Sequence, residues 1–302
     1  MMKVILLQGL LLLLPFAALL LYWYSATVQY FCKVAFFNCW IVAMATLLSP
    51  YAALRGRTVE NMKILRAAIL PLKHFFGIKM QVWGYEHLNI KEPYVMVCNH
   101  QASLDLMGMV EIMPDHCVPI AKKELMYMGT VGWACWLSGI IFIDRQKTGD
   151  AIDVIAQTAR TMRRENLRVW IFPEGTRNRD KSMLPFKRGA FHLAVQAQVP
   201  IIPIVISPYW NFYSSKDKKF IPGTCTIQIL PRIETQGLSP KNVPDLTETV
   251  RKAMVDVFSE MSANDCGNQR SEQPPLPCSA GANAVKETGS PQREEDTTSI
   301  SD

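Results

Sequence analysis

The stretch PYVMVCNHQASLDLM, residues 93–107, contains the clearest secondary-structure pattern of this chain. Its first six residues, 93–98, form a short apolar run of the kind that favours a β-strand. An apolar pattern typical of a helix follows at residues 103–113, and Ser103 is a favourable N-cap for it. The stretch therefore predicts a strand, a sharp turn and a helix.

The same stretch sets His100 and Asp105 five residues apart. On a helix this spacing corresponds to roughly 140° around the axis, and on a strand it places the two side chains on opposite faces. The two side chains can therefore meet only if the chain bends between them. We expect His100 at the carboxyl end of a strand and Asp105 in the first turn of the next helix. Ligands bind at this place in open α/β sheets.

Strand and helix patterns alternate along the chain between residues 80 and 262. Predicted strands are residues 93–98, 117–121, 140–144, 168–172, 200–206 and 224–230. Predicted helices are residues 103–113, 123–138, 150–165, 186–198 and 244–262. Such alternation favours an α/β domain with a mostly parallel or mixed sheet flanked by helices.

Two apolar segments without charged residues, 4–24 and 34–54, precede this domain. Each is long enough to cross a bilayer, which takes about 20 residues. The first is longer than the apolar core of a usual signal peptide, and 24–26 has no small-x-small cleavage pattern. We therefore predict an uncleaved two-helix membrane anchor. Basic residues follow the second segment, which places residue 55 onward in the cytosol.

Composition divides the chain into four parts. We predict a membrane anchor at 1–58, an interfacial amphipathic segment at 59–79, the α/β domain at 80–262 and a disordered tail at 263–302. An ordinary amphipathic helix is an equally good interpretation of 59–79. A third uncharged stretch, 125–143, is interrupted by glycines, and as a span it would separate His100 from the later motif at 172–177. We predict a helix there that is buried or rests on the membrane.

The charge balance favours anionic lipids and phosphorylated substrates as partners. The chain has 32 Lys and Arg against 26 Asp and Glu, a net charge of +6. The tail carries three basic against seven acidic residues, so the rest of the chain has a net charge of +10. Nucleic acid is a poor candidate, because the cations are not clustered on one helix. Eight cysteines without a CxxC or a His/Cys metal spacing argue against a disulfide framework and against a bound metal.

A second motif, FPEGTR, occupies residues 172–177. Pro173 should end the preceding strand, and Gly175 allows close approach of a ligand to the backbone. Arg177 offers a planar guanidinium to a phosphate, a contact worth about 1.5–3 kcal/mol. Glu174 could orient Arg177 or accept a hydrogen bond from a substrate hydroxyl. In a parallel sheet, Lys122, Arg145 and Glu174 should lie at the same edge as His100, since each follows a predicted strand.

Four blocks together resemble the glycerolipid acyltransferase family. They are NHQASLD at 99–105, GIIFIDR at 139–145, FPEGTRN at 172–178 and VPIIPIV at 199–205. AKKEL at 121–125 and LPFKRGAFHLAVQAQVPI at 184–201 add to the resemblance, which covers roughly residues 80–260. The resemblance implies acyl transfer from acyl-CoA to the sn-2 hydroxyl of lysophosphatidic acid at the endoplasmic reticulum membrane. Acyl-CoA would be a co-substrate, with no bound cofactor.

Under this interpretation His100 is the general base, and Asp105 fixes its tautomer. Gly175, Thr176 and Arg177 would hold the phosphate of the acceptor together with Glu174. Lys122 and Arg145 would assist, and no metal is required. Two alternatives remain open. The acceptor could be glycerol-3-phosphate or another lysophospholipid, or the chain could be a non-catalytic membrane protein that binds phosphatidic acid.

Overall fold

The computed structural model describes residues 13, 15–144, 148–178, 180 and 182–271. The helices are α1 Pro15–Tyr24, α2 Ala26–Leu54, α3 Met62–Ile69, α4 Leu72–Phe75, α5 Asp105–Ile112, α6 Gly129–Leu137, α7 Thr148–Glu165, α8 Gly189–Ala197 and α9 Val243–Ser271. The strands are β1 Ile78–Trp83, β2 Val95–Cys98, β3 Cys117–Lys122, β4 Ile141–Ile143, β5 Arg168–Ile171, β6 Ile201–Ile206, β7 Tyr213–Ser214, β8 Lys219–Phe220 and β9 Gly223–Ile229. Short 3-10 turns occupy Val59–Asn61, Tyr85–Leu88, Lys123–Tyr127 and Pro240–Asn242.

Seven strands form one mixed sheet in the order β1-β9-β6-β2-β5-β3-β4. Neighbouring strands are parallel except for β6 and β9, which are antiparallel. Every residue of β2 and β6 is buried, as expected for central strands that helices cover on both faces. These observations confirm the predicted α/β class with a mixed sheet. All six predicted strands are present, within one or two residues at each end.

The sheet also contains a strand that the sequence pattern did not predict. β1 lies at one edge of the sheet and pairs with β9, from Ile78 opposite Gly223 to Trp83 opposite Gln228. Its residues are more exposed than those of the central strands, so its apolar signal is weak. The predicted domain boundary at residue 80 falls inside this strand. The separate two-stranded β7–β8 hairpin was not predicted either.

The segment between the anchor and β1 is helical in two pieces. α3 and α4 are separated at Pro71, because a proline interrupts the hydrogen bonds of a helix. In the same way, the helix predicted at 123–138 is divided into the 3-10 turn Lys123–Tyr127 and α6. The division falls at Met128 and Gly129, where Gly129 has a left-handed backbone (φ +53°).

The predicted N-cap of α5 is wrong. The helix begins at Asp105, and its cap position is Leu104, which makes no side-chain capping bond. The Asp105 carboxylate instead accepts hydrogen bonds from the backbone N–H groups of Gln101 and Ala102 in the preceding turn. The Asp105 carboxylate therefore accepts hydrogen bonds from donors outside the helix, and it also interacts favourably with the positive end of the helix dipole.

The amino-terminal helices form an apolar unit that packs on the domain. Among the described residues, α2 is the one helix long and apolar enough to cross a membrane. It contains the predicted segment 34–54 and begins at Ala26, where Ser25 accepts a hydrogen bond from Val28 N–H. Residues 4–12 and 14 of the predicted segment 4–24 lie outside the described residues, and the last ten residues of the segment form α1. Exposed apolar residues of α2 include Phe31, Phe36, Val42, Leu47 and Leu54.

α2 contacts the domain along most of its length. Its hydrogen-bonded contacts are Lys33 Nζ to Phe220 O (2.7 Å), Trp40 Nε1 to Ala68 O (2.8 Å), Thr46 Oγ1 to Thr130 Oγ1 (3.0 Å) and Asn61 Nδ2 to Ala52 O (3.3 Å). One side of this helix therefore faces protein, while the opposite side is apolar and exposed. At the other end of the chain, α9 continues to Ser271, so the predicted start of the tail at residue 263 falls within this helix.

Gly84 gives a test of the junction between β1 and the rest of the sheet. Its backbone is left-handed (φ +73°), and a Cβ atom there would overlap the carbonyl oxygen of Ile229 in β9. We expect Gly84→Ala to lower the free energy of unfolding by about 1–3 kcal/mol, measured by thermal unfolding in detergent. Gly149→Ala is the control, since no atom lies within 4 Å of its added Cβ. Equal stability of the two variants would contradict this account of the junction.

Candidate active site

His100 and Asp105 meet across the turn between β2 and α5, as the bend in the sequence predicts. The Nδ1 atom of His100 lies 2.7 Å from Oδ2 of Asp105. Asp105 is buried, with 1% of its surface exposed, whereas one fifth of the His100 side chain is exposed. Because Nδ1 is bound to the carboxylate, Nε2 is the imidazole nitrogen that can reach a substrate. The ring also stacks on Phe172, with centroids 4.1 Å apart.

Asp105 is held by four hydrogen-bond donors. Its Oδ2 atom accepts from the backbone N–H of Gln101 (2.6 Å) and of Ala102 (2.9 Å) in addition to His100. Its Oδ1 atom accepts from the hydroxyl of Tyr209. Burial, together with the nearby charge of Asp105, raises the pKa of Tyr209 well above its ordinary value, so this hydroxyl stays protonated and donates. The carboxylate is therefore fixed in one orientation.

Asn99 and Gln101 tie the turn to the neighbouring strand β6. The side-chain amide of Asn99 donates to Ile206 O (2.9 Å) and accepts from Ile206 N–H (2.8 Å). The amide of Gln101 donates to Ser207 O at 3.0 Å. All three contacts continue the connection between the two segments beyond Cys98, the last residue of β2. The residues on both sides of His100 are thus anchored while its own side chain points to the cavity.

Glu174 links the second motif to the first. Its Oε1 atom accepts from the backbone N–H of His100 at 2.7 Å, and its Oε2 atom accepts from the N–H of Leu184 at 2.9 Å. The side chain is buried, with 3% of the residue exposed. Burial raises the pKa of Glu174, and the two N–H donors oppose this shift. The geometry thus gives this carboxylate a positioning role, and the contact with a substrate hydroxyl that the sequence suggested stays a prediction.

An apolar cavity of about 830 Å³ opens beside His100. Its walls come from α2, α3, α5, β3 and α6, with apolar side chains such as Trp40, Ile41, Leu65, Leu106, Val110, Val131 and Ile140. The residues at its polar end include His100, Lys122, Gly175, Thr176 and Arg177. The structure therefore brings these predicted site residues to one cavity. Arg145 lies outside the described residues.

The sequence did not identify Tyr209, Asn99, Gln101 or Phe172 as parts of the site. Tyr209 follows the carboxyl end of β6 by three residues, which is the one local signal that could have pointed to it. Its contact with Asp105 joins positions 104 residues apart, and such a pairing requires the sheet order. Among the described residues, no group of three or more His, Cys, Asp or Glu side chains could hold a metal ion. The predicted independence from metal is untested.

Comparisons with known proteins agree with the fold. A family model described as Acyltransferase matches residues 79–207. The chain is 55% identical to mouse 1-acyl-sn-glycerol-3-phosphate acyltransferase alpha, over 82% of this chain and 87% of the relative. The human protein of the same name is 54% identical over 82% of this chain and 87% of its own length. The crystal structure of PlsC, the 1-acyl-sn-glycerophosphate acyltransferase of Thermotoga maritima, superposes with a TM-score of 0.56. It is 21% identical and covers 78% of this chain and 98% of that one.

The α/β fold and the matched region place the chain in the acyltransferase class. The identity to the mouse and human relatives covers about four fifths of the chain. The chain belongs to the 1-acyl-sn-glycerol-3-phosphate acyltransferase family. The family resemblance seen in the four sequence blocks is thereby confirmed.

Tyr209 provides a test of the buried network. In Tyr209→Phe the Oδ1 atom of Asp105 loses its donor in a buried position, so we expect the free energy of unfolding to fall by about 1–3 kcal/mol. Thermal unfolding of the detergent-solubilised protein measures this loss. Tyr127→Phe is the control, because Tyr127 is 73% exposed. If both variants unfold at the wild-type temperature, the Tyr209 hydroxyl does not support Asp105.

Proposed function

We propose that the protein transfers a fatty acyl group from acyl-CoA to the sn-2 hydroxyl of 1-acyl-sn-glycerol-3-phosphate (lysophosphatidic acid) and thereby forms phosphatidic acid. The observation that carries this proposal is the 2.7 Å contact between His100 Nδ1 and Asp105 Oδ2 at the polar end of an apolar cavity. The names of the mouse and human relatives support the choice of acceptor. The reaction belongs to phospholipid biosynthesis.

In the proposed mechanism His100 acts as the general base through Nε2. This nitrogen takes the proton of the sn-2 hydroxyl while the oxygen bonds to the carbonyl carbon of the thioester. The C–S bond then breaks, and CoA leaves as a thiolate that regains a proton from the imidazolium. Asp105 keeps the other ring proton on Nδ1 and stabilises the imidazolium. A thiolate is a good leaving group, so a base suffices and no acyl-enzyme is required.

The phosphate of the acceptor would bind at the loop that begins with Glu174. Thr176 and Arg177 are exposed and line the cavity beside His100, and Lys122 contributes a second cation from the end of β3. A guanidinium can form two parallel hydrogen bonds with a phosphate. Gly175 has a left-handed backbone (φ +72°), which turns the loop toward the cavity. We assign Arg145 a supporting role on the sequence pattern alone.

The apolar part of the cavity would take an acyl chain. Its volume of about 830 Å³ falls in the range of about 300–1,000 Å³ of small-molecule sites. Residues of α2, including Trp40 and Ile41, form part of its wall. A substrate bound there would therefore lie between the anchor and the domain. This arrangement suits a reaction in which at least one substrate comes from a lipid layer.

The protein would act at the endoplasmic reticulum membrane with its active site facing the cytosol, where acyl-CoA is found. The cations that follow α2, such as Arg55 and Arg57, support this orientation. Because α2 contacts the domain from Lys33 to Ala52, we favour an anchored protein over one in which lipid surrounds α2. The exposed apolar side of α2 would face the lipid.

His100→Ala tests the function and the base together. We expect the variant to lose about 10²- to 10⁴-fold or more in kcat, because the hydroxyl then lacks its base. The measurement uses one radiolabelled acyl-CoA and a panel of lysophosphatidic acid, glycerol-3-phosphate and lysophosphatidylcholine. His192→Ala, at an exposed position on α8, is the control.

If the wild type acylates another member of the panel in preference to lysophosphatidic acid, that compound is the acceptor and the proposed acceptor is wrong. The absence of CoA-thiol release with every acceptor would favour the non-catalytic alternative. Wild-type turnover by His100→Ala would remove the assignment of the base.

Arg177→Ala tests the phosphate site. We expect KM for lysophosphatidic acid to rise about tenfold or more, since one charge-assisted contact of about 1.5–3 kcal/mol is lost. The KM for acyl-CoA should change little. Arg160→Ala, at an exposed position on α7, controls for the loss of one positive charge. An increase confined to the KM for acyl-CoA would assign Arg177 to the donor instead.

A further inference from the structure

Lys187 lies across the backbone of Gly175, the glycine of the second motif. A Cβ atom built on Gly175 would come within 2.8 Å of Cδ and Cε of Lys187 and 3.0 Å of its Nζ. The aliphatic part of the lysine therefore packs directly on the glycine, and the ammonium group borders the same loop. Any other L-residue at position 175 would displace this side chain and would also have to adopt a left-handed backbone (φ +72°).

The base of the lysine side chain is fixed by its neighbours. The backbone N–H of Lys187 donates to Pro173 O at 2.8 Å, which joins the segment before α8 to the start of the loop. The preceding residue, Phe186, is buried and stacks on Phe191 of α8. Glu174 accepts from Leu184 N–H in the same segment. Two backbone contacts and one buried ring thus hold Lys187 against the loop.

The ammonium group has no acidic partner in the part of the chain that the structure describes. None of the ion pairs found there includes Lys187, and the side chain is exposed. The carboxylate of Glu174 is adjacent in sequence to Gly175, but its two oxygens accept from backbone N–H groups. Among the described residues, the positive charge held beside the loop therefore has no ion-pair partner.

We propose that Lys187 is a phosphate-binding residue of this active site. It lies over Gly175, while Thr176 and Arg177 line the cavity next to His100. A phosphate group bound at this loop would be close to the Lys187 ammonium, which borders Gly175, and to Arg177, which follows Gly175 by two residues. Both proposed substrates carry phosphate groups, so the ligand is either the acceptor phosphate or a phosphate of CoA. The inference rests on the proposed function for the identity of these two ligands.

Lys187→Met is the variant that separates binding from packing. Methionine keeps an unbranched side chain over Gly175 and removes the charge. With the full chain in detergent micelles, equilibrium binding of CoA and of a short-chain lysophosphatidic acid is measured by calorimetry, and both KM values by kinetics. We expect the Kd and KM of at least one of the two ligands to rise about tenfold or more, and Lys187→Arg to stay near the wild type. The control is Lys241→Met in the exposed turn Pro240–Asn242.

The two ligands give separate outcomes. Weaker binding of CoA alone assigns Lys187 to the donor, and weaker binding of lysophosphatidic acid alone assigns it to the acceptor. Unchanged Kd values for both ligands would overturn the proposal, and so would a loss confined to kcat, since the lysine would then only shape the loop. Failure of the wild type to acylate lysophosphatidic acid would refute the proposed function, while the CoA measurement would still test Lys187.

Discussion

The site depends on the hydrogen bonds that hold the buried carboxylate of Asp105. A carboxylate taken out of water is stable only if its oxygens are hydrogen-bonded, and Asp105 obtains four donors from the turn, from His100 and from Tyr209. Three of these donors are consecutive residues of the turn, and the fourth, Tyr209, lies more than 100 residues further along the chain. The requirement to satisfy one buried charge therefore sets the path of the turn, the orientation of the imidazole and the position of the segment after β6.

A second buried carboxylate connects this turn with the loop that follows β5, where the phosphate site is proposed. Glu174 accepts hydrogen bonds from the backbone N–H of His100 on one oxygen and from that of Leu184 on the other, so it joins the turn after β2 to both ends of the loop between β5 and α8. Its role resembles that of Asp105, although the sequence suggested a direct contact with substrate. The distance between the proposed base and the proposed phosphate site is thus fixed through backbone atoms. Such pre-organisation avoids reordering of the site when substrate binds.

Local patterns in the sequence were sufficient to predict the central strands and helices. They were not sufficient to predict contacts between residues that are far apart in the sequence. The alternation of apolar runs predicted six of the seven strands of the main sheet, and the five-residue spacing of His100 and Asp105 predicted the turn between them. Tyr209 was missed because its partner is 104 residues away, and that pairing depends on β2 and β6 being neighbours. β1 was missed although its burial alternates along the strand, because the predicted interfacial segment at 59–79 and the predicted domain boundary at residue 80 divided it. Ser103 was misassigned, because the helix N–H groups of Leu106 and Met107 bond to the backbone carbonyl oxygens of Ser103 and Leu104.

α2 belongs to the predicted membrane anchor and also forms part of the cavity beside His100. The sequence treats residues 1–58 as a separate unit that holds the enzyme at a membrane. In the structure, side chains of α2 such as Trp40, Ile41 and Ala45 line the same cavity as His100. Hydrogen bonds from Trp40 to Ala68 and from Thr46 to Thr130 fix the helix against α3 and α6. Without α2, the apolar wall formed by α3, α5 and α6 would face solvent. This exposure would cost about 25 cal/mol of free energy for each Å² of apolar surface. The helix is therefore a structural part of the cavity beside His100, and its exposed apolar residues lie on the side that does not face the domain.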